Sequence, residues 1–510
     1  MNCKKIVSIS VFTMTTVLTQ AGGILTNTNQ NIAFNRMMSR EGSIAIDGVY
    51  YNPAGVAFLK DGAHISLNWQ LAFQTRKIDN SFPLFANNVN NTSTERNFKG
   101  HALAPAIPSI QFAYNWKGYS FQANLAVVGG GGKCEFDNGL GSFEKLVGET
   151  AMGVCKLAQG IDAVTYAMHG VNPGLSSASK FGNTGQYSYE SYMRGRQYYY
   201  GLSLGVGKKI NDNLAVFAGV RGIYALSNYY GYVENIKVGQ VPLYTMVDPS
   251  RTESANIELN CDQSGVGFTP ILGMDYKSGR WNFAAKYEFK TKMRLKSISV
   301  NQLPSIGNLP ARLLEGGIPE DVIGSAAITT ALGQLKSQFD TKMEEAVGEY
   351  KDGAKVPCDI PALLAVGVGY NPVNPLHINV GFHYYWDRQA TAYNHREDKL
   401  KRGTMAWHAG AEYDVNEKLT VSAGWQNTSY GLSDEYMDDK SFTVSSNSIA
   451  AGICYHISKK MSLNVAYFCT LYGHKKVSQA EQLSADTSVS YFSDYTRTNH
   501  VFGAGLDIDI

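Results

Sequence analysis

The chain contains no apolar run of about twenty residues beyond its first segment, which excludes a helix spanning a bilayer in the mature protein. Excess charge is missing as well. The 45 Lys and Arg nearly balance the 43 Asp and Glu, for a formal net charge of +2. That falls to zero without Lys4 and Lys5. A neutral chain lacks the electrostatic footprint of a nucleic-acid binder. Nor is there a nucleotide or metal signature, so no cofactor is expected. A phosphate loop around Gly129–Lys133 would need glycine at Val127 and Ser or Thr at Cys134. No Cys or His pair has metal-ligand spacing.

Cysteine is sparse, with seven in 510 residues, one of them Cys3 close to the start. Lys4 and Lys5, the mostly apolar stretch Ile6 to Leu18, and Ala21 have the form of a secretory signal peptide over residues 1–21. Cys3 lies too near the start to be a lipobox cysteine. Export places the six remaining cysteines in an oxidising compartment. Cys134–Cys155 and Cys261–Cys358 are the expected loop disulfides, although spacing alone does not fix the pairing. Cys454 and Cys469 fall on consecutive strands with opposite facing and are expected to stay free.

What the sequence does have is alternation, in about fourteen strand-like segments joined in turn by tight turns and long loops. Tyr198, Tyr200, Leu202, Leu204 and Val206 share one face, against Tyr199, Gly201, Ser203 and Gly205 on the other. Trp281, Phe283, Ala285, Tyr287 and Phe289 alternate with Asn282, Ala284, Lys286, Glu288 and Lys290. A lysine turned to lipid costs about 2–4 kcal/mol at mid-bilayer, so Lys286, Glu288 and Lys290 must point inward. The same alternation returns at Leu419 to Trp425, Met461 to Tyr467 and Phe502 to Ile508. Mean hydropathy is −0.20, and such soluble-looking composition suits a barrel in which only every second residue meets lipid. The fold class expected is all-β: a transmembrane antiparallel barrel of the bacterial outer-membrane type over residues 63–510.

Tight turns are expected near Lys117–Gly118, Ile210–Asn213, Lys277–Arg280, Asn371–Pro375, Asp414–Glu417 and Ser458–Lys460. The longest connections run from about Gly131 to Arg194 and from Ser299 to Cys358. In the second, Ile328, Leu332, Leu335, Phe339 and Met343 recur at helical spacing within Pro319 to Tyr350. Residues 22–62 precede the first strand and carry Ile44, Ile46, Val49, Tyr50 and Tyr51. They are too apolar for a free tail, and a plug in the lumen is their natural use.

Three stretches together resemble the FadL-type outer-membrane transporters of long-chain fatty acids and other hydrophobic compounds. They are Glu41 to Gly55 with its Asn52-Pro53-Ala54-Gly55 end, Asp359-Ile360-Pro361 running into Gly367 to Tyr370, and Gly410 to Tyr413 ahead of Leu419 to Trp425. The resemblance covers nearly the whole mature chain. It implies a fourteen-stranded barrel with an N-terminal hatch, passive capture of hydrophobic ligand between outer loops, and lateral exit where one strand kinks. Asn52, Pro53 and Ala54 match the hatch motif. Gly129, Gly130, Gly131 and Gly132 either mark the kink or begin an outer loop. Phe143, Leu146, Val147, Leu332, Leu335, Phe339 and Met343 are the candidate groove lining, against plain helix packing as the alternative. Arg221, Lys286 and Lys290 are candidate lumen contacts for a carboxylate headgroup.

The expected partners are a hydrophobic small molecule and outer-membrane lipid, with the chain a monomer. Two other classes remain open. One is a porin for polar solutes or a surface-display barrel, against which the plug argues. The other is a barrel hydrolase, since His383, His408 and Glu412 all face inward by parity and a His–Glu pair can serve acid–base chemistry. A hydrogen-bonded lumen network, or contact with the plug, is the plainer use of these three.

Overall fold

A computed structural model describes residues 24–484 and 487–510. The expected signal peptide lies outside them. Fourteen antiparallel barrel strands follow one another around the wall: β1 (Gly62–Ser81), β2 (Glu95–Ala104 and Ser109–Trp116), β3 (Tyr119–Phe136), β4 (Tyr187–Lys209) and β5 (Leu214–Val238) come first. Then come β6 (Ile257–Ser278), β7 (Trp281–Glu288 and Arg294–Ser299), β8 (Lys355–Pro357 and Leu363–Val373), β9 (Leu376–Tyr385) and β10 (Thr404–Asn416). The last are β11 (Leu419–Ser429), β12 (Ser446–Ser458), β13 (Met461–Tyr472 and Lys475–Ser484) and β14 (Thr487–Asp509). β14 returns to β1 in unbroken register from His64↔Asp509 to Ser81↔Phe492, which closes the wall. Closure satisfies the backbone groups that an open edge would present to lipid.

Side-chain alternation sets the two faces. Leu67, Trp69, Phe112, Leu204, Phe283 and Trp425 are exposed on the outside, as a lipid-facing belt requires. Their inward neighbours are polar and buried: Ser66, Gln70, Gln111, Asn282 and Gln426. Lys286 and Glu288 point inward and are buried, whereas Lys290 lies just past the end of the first β7 segment. Tyr198 lies beside Tyr200, with ring centroids 6.2 Å apart, but is buried opposite the irregular stretch of β3. No helix among the described residues is long and apolar enough to cross a membrane.

Residues 26–57 are mostly buried against the inward-facing side chains of the wall, and Lys60 and Asp61 are exposed. This segment forms α1 (Ile32–Met37), the single turn α2 (Gly48–Tyr51) and a 3-10 turn at Gly55–Phe58. Asn31 caps α1 by accepting the Ala33 N–H at 2.7 Å. The outer side carries the remaining helices: α3 (Gly141–His169), α4 (Tyr244–Val247), α5 (Leu309–Glu315), α6 (Glu320–Ile323) and α7 (Ala326–Val347).

The two expected disulfides do not form; Cys134, Cys155, Cys261, Cys358, Cys454 and Cys469 are all free thiols. Cys134 is buried on β3 beside Gly100 and Phe136, while Cys155 is in the middle of α3 with its thiol donating to the Phe181 carbonyl at 3.1 Å. A strand and a helix that bury their thiols in separate apolar clusters offer no bridge. Cys261 is buried on β6, and Cys358 hydrogen-bonds the Tyr199 hydroxyl at 2.9 Å.

Candidate functional site

Inward-facing polar side chains hold the N-terminal plug all around the wall. Asn31 donates to Gln111 Oε1 at 2.6 Å and Asn35 to Gln70 Oε1 at 2.7 Å. On the far side Arg36 donates to Asn464 Oδ1 at 3.0 Å and forms an ion pair with Glu412. Arg40 joins Glu412 at 2.9 Å and grips Asp47 through two bonds of 2.7 and 3.0 Å. Glu412 therefore serves two plug arginines and neither histidine. His383 instead meets Glu41 of the plug at 2.7 Å, and His408 donates to the Met38 carbonyl at 3.0 Å.

Each residue of the Asn52-Pro53-Ala54 motif has a separate contact. Asn52 Nδ2 donates to Asp275 Oδ2 at 2.5 Å, and its Oδ1 accepts the Gly55 N–H at 3.1 Å. The Pro53 carbonyl accepts from Gln122 Nε2 at 2.7 Å. Ala54 is fully buried against Ala215, Phe217 and Ile271. The motif thus ties the plug to β3, β5 and β6 at one level.

The wall itself is interrupted between β2 and β3. Their ladder runs from Trp116↔Tyr119 to Ile110↔Leu125, then resumes only at His101↔Glu135 and Gly100↔Phe136. Pro105 and Pro108 bracket the break on β2, where the missing N–H groups cannot donate to a ladder. On β3 the glycine run sits inside the strand, with register shifts between Val127 and Gly129 and between Gly129 and Gly132. It is an irregularity of the wall and does not begin a loop. Gly130 and Gly132 have φ of 103° and 69°, which favours glycine at both.

The unequal lengths of the strands show why the ladder fails. Thr75 to Leu67 on β1 lies opposite His101 to Ile110 on β2, one residue longer. That stretch of β2 lies opposite Leu125 to Glu135 on β3, longer by one again. β4 then returns to the span of β1, with Arg194 to Leu202. Bulged residues on two adjacent strands force them apart. The first described residues of the plug run along the break. Asn27 N–H donates to the Val128 carbonyl at 2.9 Å, and Gly130 N–H donates to the Leu25 carbonyl at 3.0 Å. A Cβ on Gly129 would stand 2.4 Å from the Leu25 carbonyl oxygen, so the contact requires glycine there.

Beside this break lies a small lumen cavity of about 10 Å³, lined by Thr26, Val128, Arg221, Ile223, Glu288 and Leu363 among others. Arg221 holds Glu288 bidentately at 2.6 and 3.1 Å, and Lys286 approaches the same carboxylate at 2.8 Å. Arg221 and Lys286 share this carboxylate, and Glu41 also lies within electrostatic reach of Lys286. Both cations also lie over the Tyr50 ring, and Lys286 donates to the Tyr50 carbonyl at 2.6 Å. Lys290 is elsewhere, donating to the Gln389 carbonyl at 2.8 Å and 3.6 Å from Asp359.

On the outer side, α3 and α7 pack together, and with α4 and α5 they line a narrow apolar slot of about 30 Å³. Leu335 and Phe339 of α7 line it. Among the other residues expected there, Leu332 packs with the α5–α6 cluster and Met343 is buried on α7. Phe143 and Val147 pack against the neighbouring strands and loops, and Leu146 is half-buried on α3. The slot is completed by Val154, Leu157 and Ile161 of α3, Met246 of α4 and Leu309 and Leu313 of α5. Their signal was present in the sequence, since Val147, Ala151, Val154, Ala158 and Ile161 recur at helical spacing.

Buried polar contacts brace α3. Arg96 of β2 binds its Glu144 at 2.8–3.1 Å through both Nε and Nη2. Its first turn lacks a side-chain cap of its own, and Asp439 from the loop after β11 accepts the Ser142 N–H at 2.8 Å. Burial, reinforced by neighbouring Asp438, pushes the Asp439 carboxyl up to about 6.

No protein-family model matches the sequence, and no curated protein matches it. Solved structures do. A FadL homologue of Pseudomonas aeruginosa aligns over 96% of this chain and 100% of its own, at 15% identity and a TM-score of 0.60. The toluene transporter TodX of P. putida aligns over 91% and 94%, at 13% identity and 0.52. A deltaS2S3 mutant of TodX, a monoaromatic hydrocarbon channel, aligns over 96% and 100%, at 15% identity and 0.53. At such identities the likeness is one of architecture, and the fold of this chain is that of the FadL-type barrels.

Proposed function

We propose that the protein is a channel of the bacterial outer membrane that takes up small hydrophobic compounds by diffusion, long-chain fatty acids foremost among them. The observation that carries this reading is the unpaired stretch of wall between β2 and β3. A polar solute gains nothing from a side door into lipid, whereas an apolar one gains about 25 cal/mol for each Å² it buries there. The names of the structural neighbours, a FadL homologue and toluene and hydrocarbon channels, accord with an apolar cargo.

Ligand is captured at the apolar slot between α3, α4, α5 and α7, which must widen to admit it. It descends into the lumen, where Arg221 and Lys286, which share Glu288, attract a carboxylate headgroup. Residues 24–61 act as the hatch, braced through Asn52, Pro53 and Ala54. Exit is sideways, past Gly129 to Gly132 into the membrane. A barrel so filled does not serve as an open porin. His383 and His408 are enclosed by the hatch, which supports transport over a barrel hydrolase. The chain acts as a monomer in contact with lipid.

Capture is tested by placing charge in the slot. The double variant Leu335→Asp/Phe339→Asp is expected to weaken binding of a fluorescent fatty acid by about tenfold or more, since a factor of ten needs only about 1.4 kcal/mol. Binding equal to that of the unaltered protein would remove the slot from the pathway.

A further inference from the structure

Three side chains from distant parts of the sequence meet between hatch and wall. Glu41 follows α1 in the hatch, His383 is on β9 and His408 on β10. Register places His383 opposite Ala406 and His408 opposite Gly381, so the two rings are diagonal neighbours on the lumen face. Their centroids are 4.2 Å apart. All three residues are buried, and one ligand atom from each lies within 4.8 Å of the others.

The hydrogen bonds around them fix the orientation of each group, and one nitrogen is left without a partner. His408 gives its Nδ1 proton to the Met38 carbonyl at 3.0 Å, which leaves Nε2 as the lone-pair nitrogen. That Nε2 is buried and has no hydrogen-bond partner. An imidazole acceptor buried without a donor is costly unless something electropositive meets it. His383 directs Nε2 to Glu41 Oε1 at 2.7 Å, and its Nδ1 lies 3.3 Å from the Tyr385 hydroxyl. The other Glu41 oxygen accepts the Arg40 N–H at 3.1 Å. Each of the three groups thus has an outer partner that fixes its orientation, the arrangement found around metal ligands. Gly381 makes room for the carboxylate, since a Cβ there would stand 2.7 Å from Glu41 Oε2.

We propose that Glu41, His383 and His408 form a binding site for a zinc-class divalent metal ion that fastens the hatch to the barrel wall. Two imidazole nitrogens and one carboxylate oxygen make a donor set suited to zinc, with a fourth position left for water. Bond lengths of about 2.0–2.1 Å put tetrahedral donors about 3.3 Å apart, so the His383–Glu41 pair, now at 2.7 Å, opens and the wider spacings of the group, within 4.8 Å, close. On binding, the proton on Nε2 of His383 passes to its Nδ1 by exchange with solvent, so that the neutral imidazole offers Nε2 to the metal and donates Nδ1–H to the Tyr385 hydroxyl. The ion joins one hatch residue to two strands, so it opposes hatch movement.

The test uses the full mature protein in detergent, stripped with a chelator and titrated with Zn2+ by calorimetry and with Co2+ by optical spectroscopy. One equivalent is expected, with the visible bands of tetrahedral cobalt. Glu41→Gln and His408→Gln are expected to lose it, while Tyr385→Phe, which keeps all three ligands, weakens it about tenfold. Zn2+ is further expected to raise the melting temperature of the unaltered protein and of neither ligand variant. No binding by the unaltered protein would overturn the proposal. So would an equivalent that survives in both ligand variants, which would place the metal on other side chains.

Discussion

Zipping the wall shut is expected to abolish uptake while leaving the barrel more stable. The variant is dictated by strand length: Pro108 deleted and Pro105→Thr on β2, with Gly130 and Gly131 deleted from β3. These changes bring β2 and β3 to the same span as β1 and β4 between their shared register points. They also restore an N–H at position 105 that the proline lacks. The ladder between the two strands can then run through, adding hydrogen bonds worth about 0.5–1.5 kcal/mol each. Uptake of hydrophobic compounds should fall at least about tenfold, equivalent to about 1.4 kcal/mol on the barrier. A higher melting temperature reports that the strands have joined. A zipped barrel that still takes up its ligand at the original rate would show that exit lies elsewhere.

The second large effect is expected at Glu412. Its carboxylate is the charge partner of Arg36 and shares Arg40 with Asp47, and both arginines are buried. Glu412→Ala leaves Arg36 with only the neutral Asn464 and Ser422 as hydrogen-bond partners. Removing one member of a buried ion pair costs about 3–5 kcal/mol, because the other charge stays buried without its counterpart. The cost falls on the hatch rather than on the strand ladder. Proteolysis within residues 24–61 should therefore accelerate and single-channel conductance rise, while the barrel keeps its resistance to unfolding in detergent. Glu412→Gln, which retains one acceptor oxygen, should show a smaller change. Unaltered proteolysis and conductance in the alanine variant would mean that other contacts hold the hatch.

The barrel was legible in the sequence for a simple reason. Lipid tolerates no charge at mid-bilayer, so Lys286 and Glu288 fix the register of β7 and the alternating residues of other strands follow. The tight turns from Lys117–Gly118 to Ser458–Lys460 fall between observed strands on the same grounds. The burial of the N-terminal segment was legible through Ile46, Val49, Tyr50 and Tyr51, which are too apolar for solvent and are buried.

Long-range geometry was not legible. The link between Glu41, His383 and His408 spans most of the chain and leaves no local spacing to detect. Pro105 and Pro108 carry half of the wall break, yet two prolines read alone do not reveal which neighbour lacks a ladder. The cysteines misled because a place in a loop says nothing of which way a thiol points. Cys134 and Cys155 turn into different cores. The 29-residue helix α3 carries an apolar stripe at helical spacing, but Gly148, Gly153 and Gly160, poor helix formers, obscured its length.

The most direct test of the channel reading is side-by-side transport by the purified protein in liposomes and by cells that lack their own fatty-acid channel. Labelled oleate and toluene are offered as hydrophobic substrates, and swelling with small sugars reports an aqueous pore. Uptake of oleate or toluene without sugar permeation is the expected result, and it should disappear in the zipped variant. Sugar permeation without hydrophobic uptake would contradict it, since that would make the barrel a water-filled pore.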